Sequence, residues 1–463
     1  MKFNFYNKGD LRFELTDDIL VDNTGLGFIG QLLSQADFNL TVNGDSIPHG
    51  NQTLETSDIL RTMIAIIAQG DLSYEEVEKL RGNPSFGYLM QLKNVPSESA
   101  LRQRLDELGM ESTFHEKLFD VSQQAIKQLA TLPIMDQINQ KLQVPGKKTR
   151  QNHWLPLNKA FIPLDIDVTP FDNSNSQKEG VSWTYKGFDG FAPNYAYLST
   201  EGYIVHSELR EGSDHVQKGT APFLTQAINR SKVLTDQPIC VRMDAGNDSE
   251  ANLTICETAG VDYLIKRNRR RRPLESFLEE AQTLGVDPVI EREGKYVYDF
   301  LTEENGFRTA VRVTERWSDT DGNIYLIPAI EVEHYWTSLD EPVSTLILLY
   351  HNHAICEQYH SELKHDLDVE RLPSSKFKTN ALILTLISLT YNLLRLIGQT
   401  NHHSSITGYR PSARPARIRM KTILKRLIFF SSKMVTSARQ TVFKLSCYFV
   451  RGPSIIKLRQ LLE

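Results

Sequence analysis

Residues 161–169, FIPLDIDVT, form an apolar run with two aspartates at its centre. Alternation along a strand puts Asp165, Asp167 and Thr169 on one face and Ile166 and Val168 on the other. Desolvating two acids in such a run is costly, so this strand has to border a cation or a water-filled cleft. The pattern changes around it. From Ser57 to about Leu108 apolar residues recur at helical spacing, in pieces punctuated by Gly70, Gly82 and Pro96. A shorter helix is predicted over Gly27 to Gln35. The piece PSESALRQRLDEL carries Arg102 and Arg104 one turn in, where a groove-reading helix would hold them; a solvated amphipathic helix fits the same residues.

After about residue 160 the period is that of strands. Tyr195–Ser199 and Tyr203–Leu209 read as a hairpin, HVQKGTAPFLTQAINRS as a helix, PICVRMDAG as a strand, SEANLTICETAG as a helix and VDYLIKR as a strand. This order predicts an α/β fold with a ribonuclease-H-like catalytic core. Residues 268–349, with turn signals at Asn305-Gly306 and Asp321-Gly322, predict a β-rich insertion interrupting that core. The expected organisation is a helical DNA-binding region over 1–130, the first part of the core over 155–267, the insertion over 268–349, the rest of the core over 350–400 and a basic helical region over 401–463.

A chain of 463 residues with 40% hydrophobic content suffices for two or three domains. Its four cysteines form no C-x-x-C pair, which argues against a zinc ribbon or a disulfide framework and suits a reducing cytoplasm. No signal peptide or membrane span is expected, and ALILTLISLTYNLLRLIG reads as a buried helix. Charge is uneven: residues 371–463 hold 17 Lys and Arg against one acid, while the whole chain holds 52 against 57. A basic end on an acidic body is a layout for binding polyanions.

In PICVRMDAG, Asp244 stands at the carboxyl end of its strand beside Arg242, where α/β sites open; capping of the following turn is an alternative role. Downstream, in YHNHAICEQYHSELK, Tyr350, His353, Glu357 and Lys364 have spacings that share one face of an α-helix. A solvated face of i,i+4 pairs would show the same spacing. Two aspartates from neighbouring strands and a glutamate from a later helix can converge on two divalent cations, and hard oxygen ligands favour Mg²⁺ or Mn²⁺.

Taken together these residues resemble the DDE transposases of bacterial insertion sequences, in the group with the Y-x2-R-x3-E-x6-K signature. Tyr350, Glu357 and Lys364 fill that pattern, with His353 where arginine is usual. LDIDVTPFDNSN, SELREGSDH, VRMDAGND and YHSELKHDLDVERLPSSKF are most similar to the subgroup usually labelled thirteen-eighty. The resemblance implies Asp167, Asp244 and Glu357 as catalytic metal ligands for two Mg²⁺ or Mn²⁺ ions, with Asp165 as the alternative first ligand. It implies cleavage of double-stranded DNA at transposon ends, strand transfer into target DNA, a homodimer on paired ends, and phosphate contacts by Tyr350, His353 and Lys364. Two other expectations stay open: a nuclease of the same fold without strand transfer, and a catalytically inactive DNA-binding derivative.

The run KRNRRRRP supplies Lys266, Arg267, Arg269, Arg270, Arg271 and Arg272 for the DNA backbone, and YRPSARPARIRMKTILKRL a second basic surface. Relatives in the group stack an insertion-domain tryptophan on a flipped base, which singles out Trp317 and Trp336; packing in the core would explain either residue as well. The string HNH at 351–353 lacks the ββα setting of HNH nucleases, and His402-His403 lacks spaced zinc partners.

Overall fold

Apolar residues every third or fourth position, with Ser, Asn and Gly at the ends, divide the N-terminal part into short helices. The computed structural model describes residues 15–44, 54–143, 150–319, 322–403, 417–437, 440–449 and 451–462. A short strand, β1 (Ile19–Val21), precedes α1 (Leu26–Gln35), α2 (Phe38–Asn43), α3 (Thr56–Ile67), α4 (Glu76–Arg81), α5 (Pro84–Leu89), α6 (Glu98–Gly109) and α7 (Thr113–Leu129). Asn83 caps α5 by accepting from the Ser85 amide, with Pro84 in its first turn, and Ser97 caps α6 by accepting from the Ala100 amide. Every residue of α3 is buried.

Next come β2 (Met135–Gln143), β3 (Arg150–Val168), β4 (Phe171–Asp172), β5 (Ser182–Trp183), β6 (Asp189–Phe191), β7 (Asn194–Leu198), β8 (Tyr203–Glu208), α8 (Thr220–Leu234), β9 (Ile239–Met243), α9 (Glu250–Thr258) and β10 (Asp262–Lys266). The long acid-bearing β3 is central. It pairs antiparallel with β7 and parallel with β9, which pairs parallel with β10. Parallel neighbours joined through α8 and α9 bury both faces, hence the continuous apolar runs. Gly202 turns the β7–β8 hairpin at φ +74°, and a Cβ there would lie 2.6 Å from the Tyr359 ring.

Residues 268–349 form α10 (Glu275–Thr283), β11 (Val289–Arg292), β12 (Lys295–Glu304), β13 (Phe307–Ser318), β14 (Ile324–Thr337) and the start of α11 (Val343–Asn352). This β-rich segment extends the main sheet: β14 pairs antiparallel with β10, giving the order β11-β12-β13-β14-β10-β9-β3-β7-β8, with β2 also on β3. Covering β10 in this way removes an exposed edge.

The remaining elements are α12 (Ile355–Ser361), a π-helical turn at Glu362–Asp366, α13 (Phe377–His403), α14 (Met420–Ile423), a second π turn at Leu424–Ile428, β15 (Ser432–Ser437), β16 (Gln440–Lys444) and α15 (Gly452–Leu461). α13 is long and apolar enough to cross a membrane, and 94% of that stretch is buried inside the protein. It joins the N-terminal helices and the C-terminal elements in one apolar cluster, so neither end of the described chain has a core of its own. The helical expectation for 401–463 needs correction. β15 and β16 pair antiparallel with each other, and β15 adds to β1, with Ile19 opposite Met434. The alternation of Met434, Thr436, Val442 and other residues suits a strand, but its partner is remote in sequence. Part of the basic segment at 409–427 lies outside the described residues; within them Arg417 turns inward to Glu362 and Tyr391.

Candidate active site

In the β3–β9 register Asp165 stands opposite Arg242. Arg242 Nε donates to Asp165 Oδ1 at 2.6 Å and Nη2 to Oδ2 at 2.7 Å, with both side chains fully buried. His353 Nδ1 lies 3.1 Å from Asp165 Oδ1. Burial works to raise the Asp165 carboxyl, but Arg242 and His353 outweigh it and hold the group below the usual carboxylate range. Asp165, His353 and Cys356 form the one group of three ligand-type side chains within 4.8 Å of one another among the described residues. Both Asp165 oxygens in this cluster are engaged by the Arg242 guanidinium, which supplies the counter-charge a cation would bring. Asp167, the other acid of this strand, has a side chain that is 26% exposed.

One step beyond the last β3–β9 pair, Ile166 opposite Met243, the two strands deliver Asp167 and Asp244 side by side. Burial pushes Asp167 up to about 6, with His353 opposing and Asp244 reinforcing the shift. Asp167 Oδ1 accepts from the Val168 amide at 2.9 Å. Asp244 Oδ1 accepts from Asn247 Nδ2 at 2.8 Å, and its side chain makes no capping bond to the turn at Ala245–Asn247.

Glu357 is exposed on α12. One turn before it His353 contacts Asp165, and one turn after it His360 Nδ1 lies 3.8 Å from Asp167 Oδ2. Lys364 Nζ donates to the Pro170 carbonyl and lies 3.5 Å from Glu370. Thus the segment from His353 to Lys364 follows β3 from Asp165 to Pro170 through the contacts of His353, His360 and Lys364. Tyr350 closes the other side: burial, then Asp244 and Asp167, push its phenol above the usual range.

A single helical face does not carry these groups. Tyr350 lies in the last turn of α11, the chain tightens at His353, whose amide donates to the Tyr350 carbonyl at 2.8 Å, and Lys364 sits in the π turn. The cause is Arg242, whose Nη1 takes the Leu349 carbonyl at 2.8 Å and Asn352 Oδ1 at 3.2 Å. That carbonyl is drawn toward the sheet, and the α-helix breaks there.

A protein-family model described as transposase DDE domain, group 1, matches residues 40–463. The chain belongs to this family. It is an enzyme, a transposase, of a family that works with divalent metal ions. A cryo-EM structure described as the piggyBac transposase synaptic complex with hairpin DNA is similar at 11% identity and a TM-score of 0.42, over 88% of this chain and 79% of that chain. No curated protein matches.

In this transposase the donor chemistry suits a divalent cation. Asp167 and Asp244 are hard oxygen donors, Asp244 lies close enough to oppose the ionisation of Asp167, and a cation would relieve that opposition. His353 departs from its sequence-based role, because at 6% exposure it faces Asp165 and cannot grip a phosphate at the surface.

The basic run divides. Arg267 pairs with Glu304 and lies 4.1 Å from the Trp336 ring centre, while Arg272 pairs with Glu280 and lies 3.7 Å from that of Phe277. Lys266, Arg269, Arg270 and Arg271 are exposed. Trp336 is buried and donates to Asp248 at 2.7 Å, which removes it from base stacking; Trp317 is 40% exposed and donates to Glu315 at 2.9 Å.

Sequence reasoning missed Tyr185 and His360. Tyr185 OH donates to the Val168 carbonyl at 3.2 Å, and burial of that end, Asp167 and Asp244 push its phenol up to about 12, while the residue is 62% exposed. His360 lies against Asp167 and is driven down to about 3 by burial, Lys364 and His353. No motif spacing singles out Tyr185. His360 could have been found one turn after Glu357.

Proposed function

We propose that Asp167, Asp244 and Glu357 hold two Mg²⁺ or Mn²⁺ ions in a ribonuclease-H-like core, and that the enzyme cuts double-stranded DNA at transposon ends and joins them to a target. The observation that carries this reading is the delivery of Asp167 and Asp244 side by side at the ends of adjacent parallel strands, with Asp167 pushed up to about 6. Bound divalent ions would activate the attacking oxygen and stabilise the leaving one. The protein's own groups orient the DNA. Lys364, held beside Pro170, takes a phosphate next to the scissile bond, and Tyr350 lines the opposite wall. Lys266 and Arg269 to Arg271 neutralise the backbone further out, with affinity that falls as salt rises.

We assign the chain to the Y-R-E-K signature group and its thirteen-eighty subgroup, with a homodimer on paired ends and a cytoplasmic site of action on the nucleoid. Tyr350, Glu357 and Lys364 support the group assignment. The inactive-derivative reading rests on His353 replacing arginine, and the bond from His353 to Asp165 gives that residue work within an intact site. The test is an assay with donor DNA, carrying the inverted repeats that flank the gene, and a target plasmid. Mg²⁺-dependent excision with joined products is expected. Cleavage without joining would make the protein a nuclease.

A further inference from the structure

Beneath the three carboxylates lies a second trio, carried by the same two strands and by the helix break just before α12. Asp165 precedes Asp167 by two residues on β3, Arg242 precedes Asp244 by two at the end of β9, and His353 closes α11 four residues before Glu357 on α12. On the two strands a spacing of two keeps both residues on one face, whereas His353 stands at the helix break that leads into α12, which carries Glu357.

The lower trio is fully interconnected through Asp165, which Arg242 holds at 2.6 and 2.7 Å and His353 at 3.1 Å. Arg242 reaches further, to the Leu349 carbonyl and Asn352 Oδ1, at the helix break that sets the direction of α12. These bonds tie the two strands and the helix together one layer below the positions where the strands end in Asp167 and Asp244.

All three members are at most 6% exposed, so none can touch DNA at the surface. Two strands and a broken helix also need a fixed separation if oxygens from all three are to share a cation, and a free helix end after Asn352 would not provide it.

We infer that Asp165, Arg242 and His353 are positioning residues that set the spacing of Asp167, Asp244 and Glu357 and thereby the affinity of the site for divalent cations. The inference rests on the reading of those carboxylates as the ligand set. Groups that orient metal ligands in this way are worth about 10- to 100-fold in metal affinity. In this chain the histidine at the position of the signature arginine belongs to the lower layer.

The test uses the full chain and Mn²⁺ binding followed by electron paramagnetic resonance of the free ion, beside end affinity by fluorescence anisotropy. His353→Ala is expected to weaken Mn²⁺ binding about 10- to 100-fold with end affinity unchanged. His353→Asn, which sets an amide nitrogen close to the place of Nδ1, should recover most of the loss, whereas His353→Gln, one methylene longer, should not. If the alanine variant does not fold, the Asn and Gln pair makes the same comparison. Unchanged Mn²⁺ affinity in a folded His353→Ala protein, or Asn and Gln behaving alike, would overturn the inference. Asp244→Asn separates the two levels: if it keeps wild-type Mn²⁺ binding, the ligand assignment itself fails, and the positioning role with it.

Discussion

Asp165 and Asp167 stand two residues apart on one strand and one face, yet they live in different chemistry. Asp165 lies against a guanidinium and an imidazole, fully buried and held in its ionised form. Asp167 is pushed up to about 6 by burial and by Asp244 against the opposition of His353. The same contrast separates Arg242 from Asp244 on the next strand. A residue's partner across the sheet, rather than its own type or its strand, decides whether a buried-looking acid holds the fold together or stays available to a ligand.

The largest effect should come from the upper layer. Asp167→Asn, Asp244→Asn and Glu357→Gln are each expected to cut excision by about a thousandfold or more while end binding is kept, measured by excision assay and anisotropy. An active variant would remove that residue from the ligand set.

The lower layer should behave oppositely. Asp165→Ala leaves Arg242 buried without its counter-charge and should cost about 3–5 kcal/mol of unfolding free energy by denaturant titration. If the loss were below about 1 kcal/mol, the floor and the mouth of the site would not differ as described.

A pH series sharpens the same contrast. Asp167 binds its proton more tightly folded than unfolded, so in metal-free protein stability falls as pH rises from about 4 to about 6 and is then flat. Asp167→Asn should therefore raise metal-free stability by about 1–3 kcal/mol at pH 8 and leave it unchanged below about pH 4. Asp165 has the opposite sign: its folded value is lowered, so its contribution is present above the unfolded value and is lost as pH falls through the folded one.

The smallest effect concerns the basic run, which divides in the same way into committed and exposed charges. Replacing Arg269, Arg270 and Arg271 by Ala should flatten the log–log salt dependence of DNA binding by up to about 0.9 for each phosphate that is no longer neutralised, with no change in melting temperature. Arg267→Ala should instead act on the sheet extension, through Glu304 and Trp336.

Much of this was legible. Alternation placed both acids of LDIDVT on one face, and the strand and helix order over 194–266 matches the predicted one, with bounds shifted by a few residues. What stayed hidden depended on partners remote in sequence. Choosing between Asp165 and Asp167 required knowing that Arg242, 77 residues later, lies opposite the first. The broken helix at His353 has the same origin, since the group that interrupts it belongs to β9. In KRNRRRRP, composition could not show that Glu304 and Glu280 from the sheet extension would take two of the six cations. The strands at 432–444 were missed because their alternation is brief and basic residues surround it.

The strand pair that adds to β1 has one more consequence. Thr24 Oγ1 meets Ser432 Oγ at 2.7 Å across 408 residues of chain. A ribosome must therefore translate nearly the whole catalytic apparatus before this small sheet can close. A product that stopped between Glu357 and Ser432 would carry all three acids and leave β1 without its partner strand.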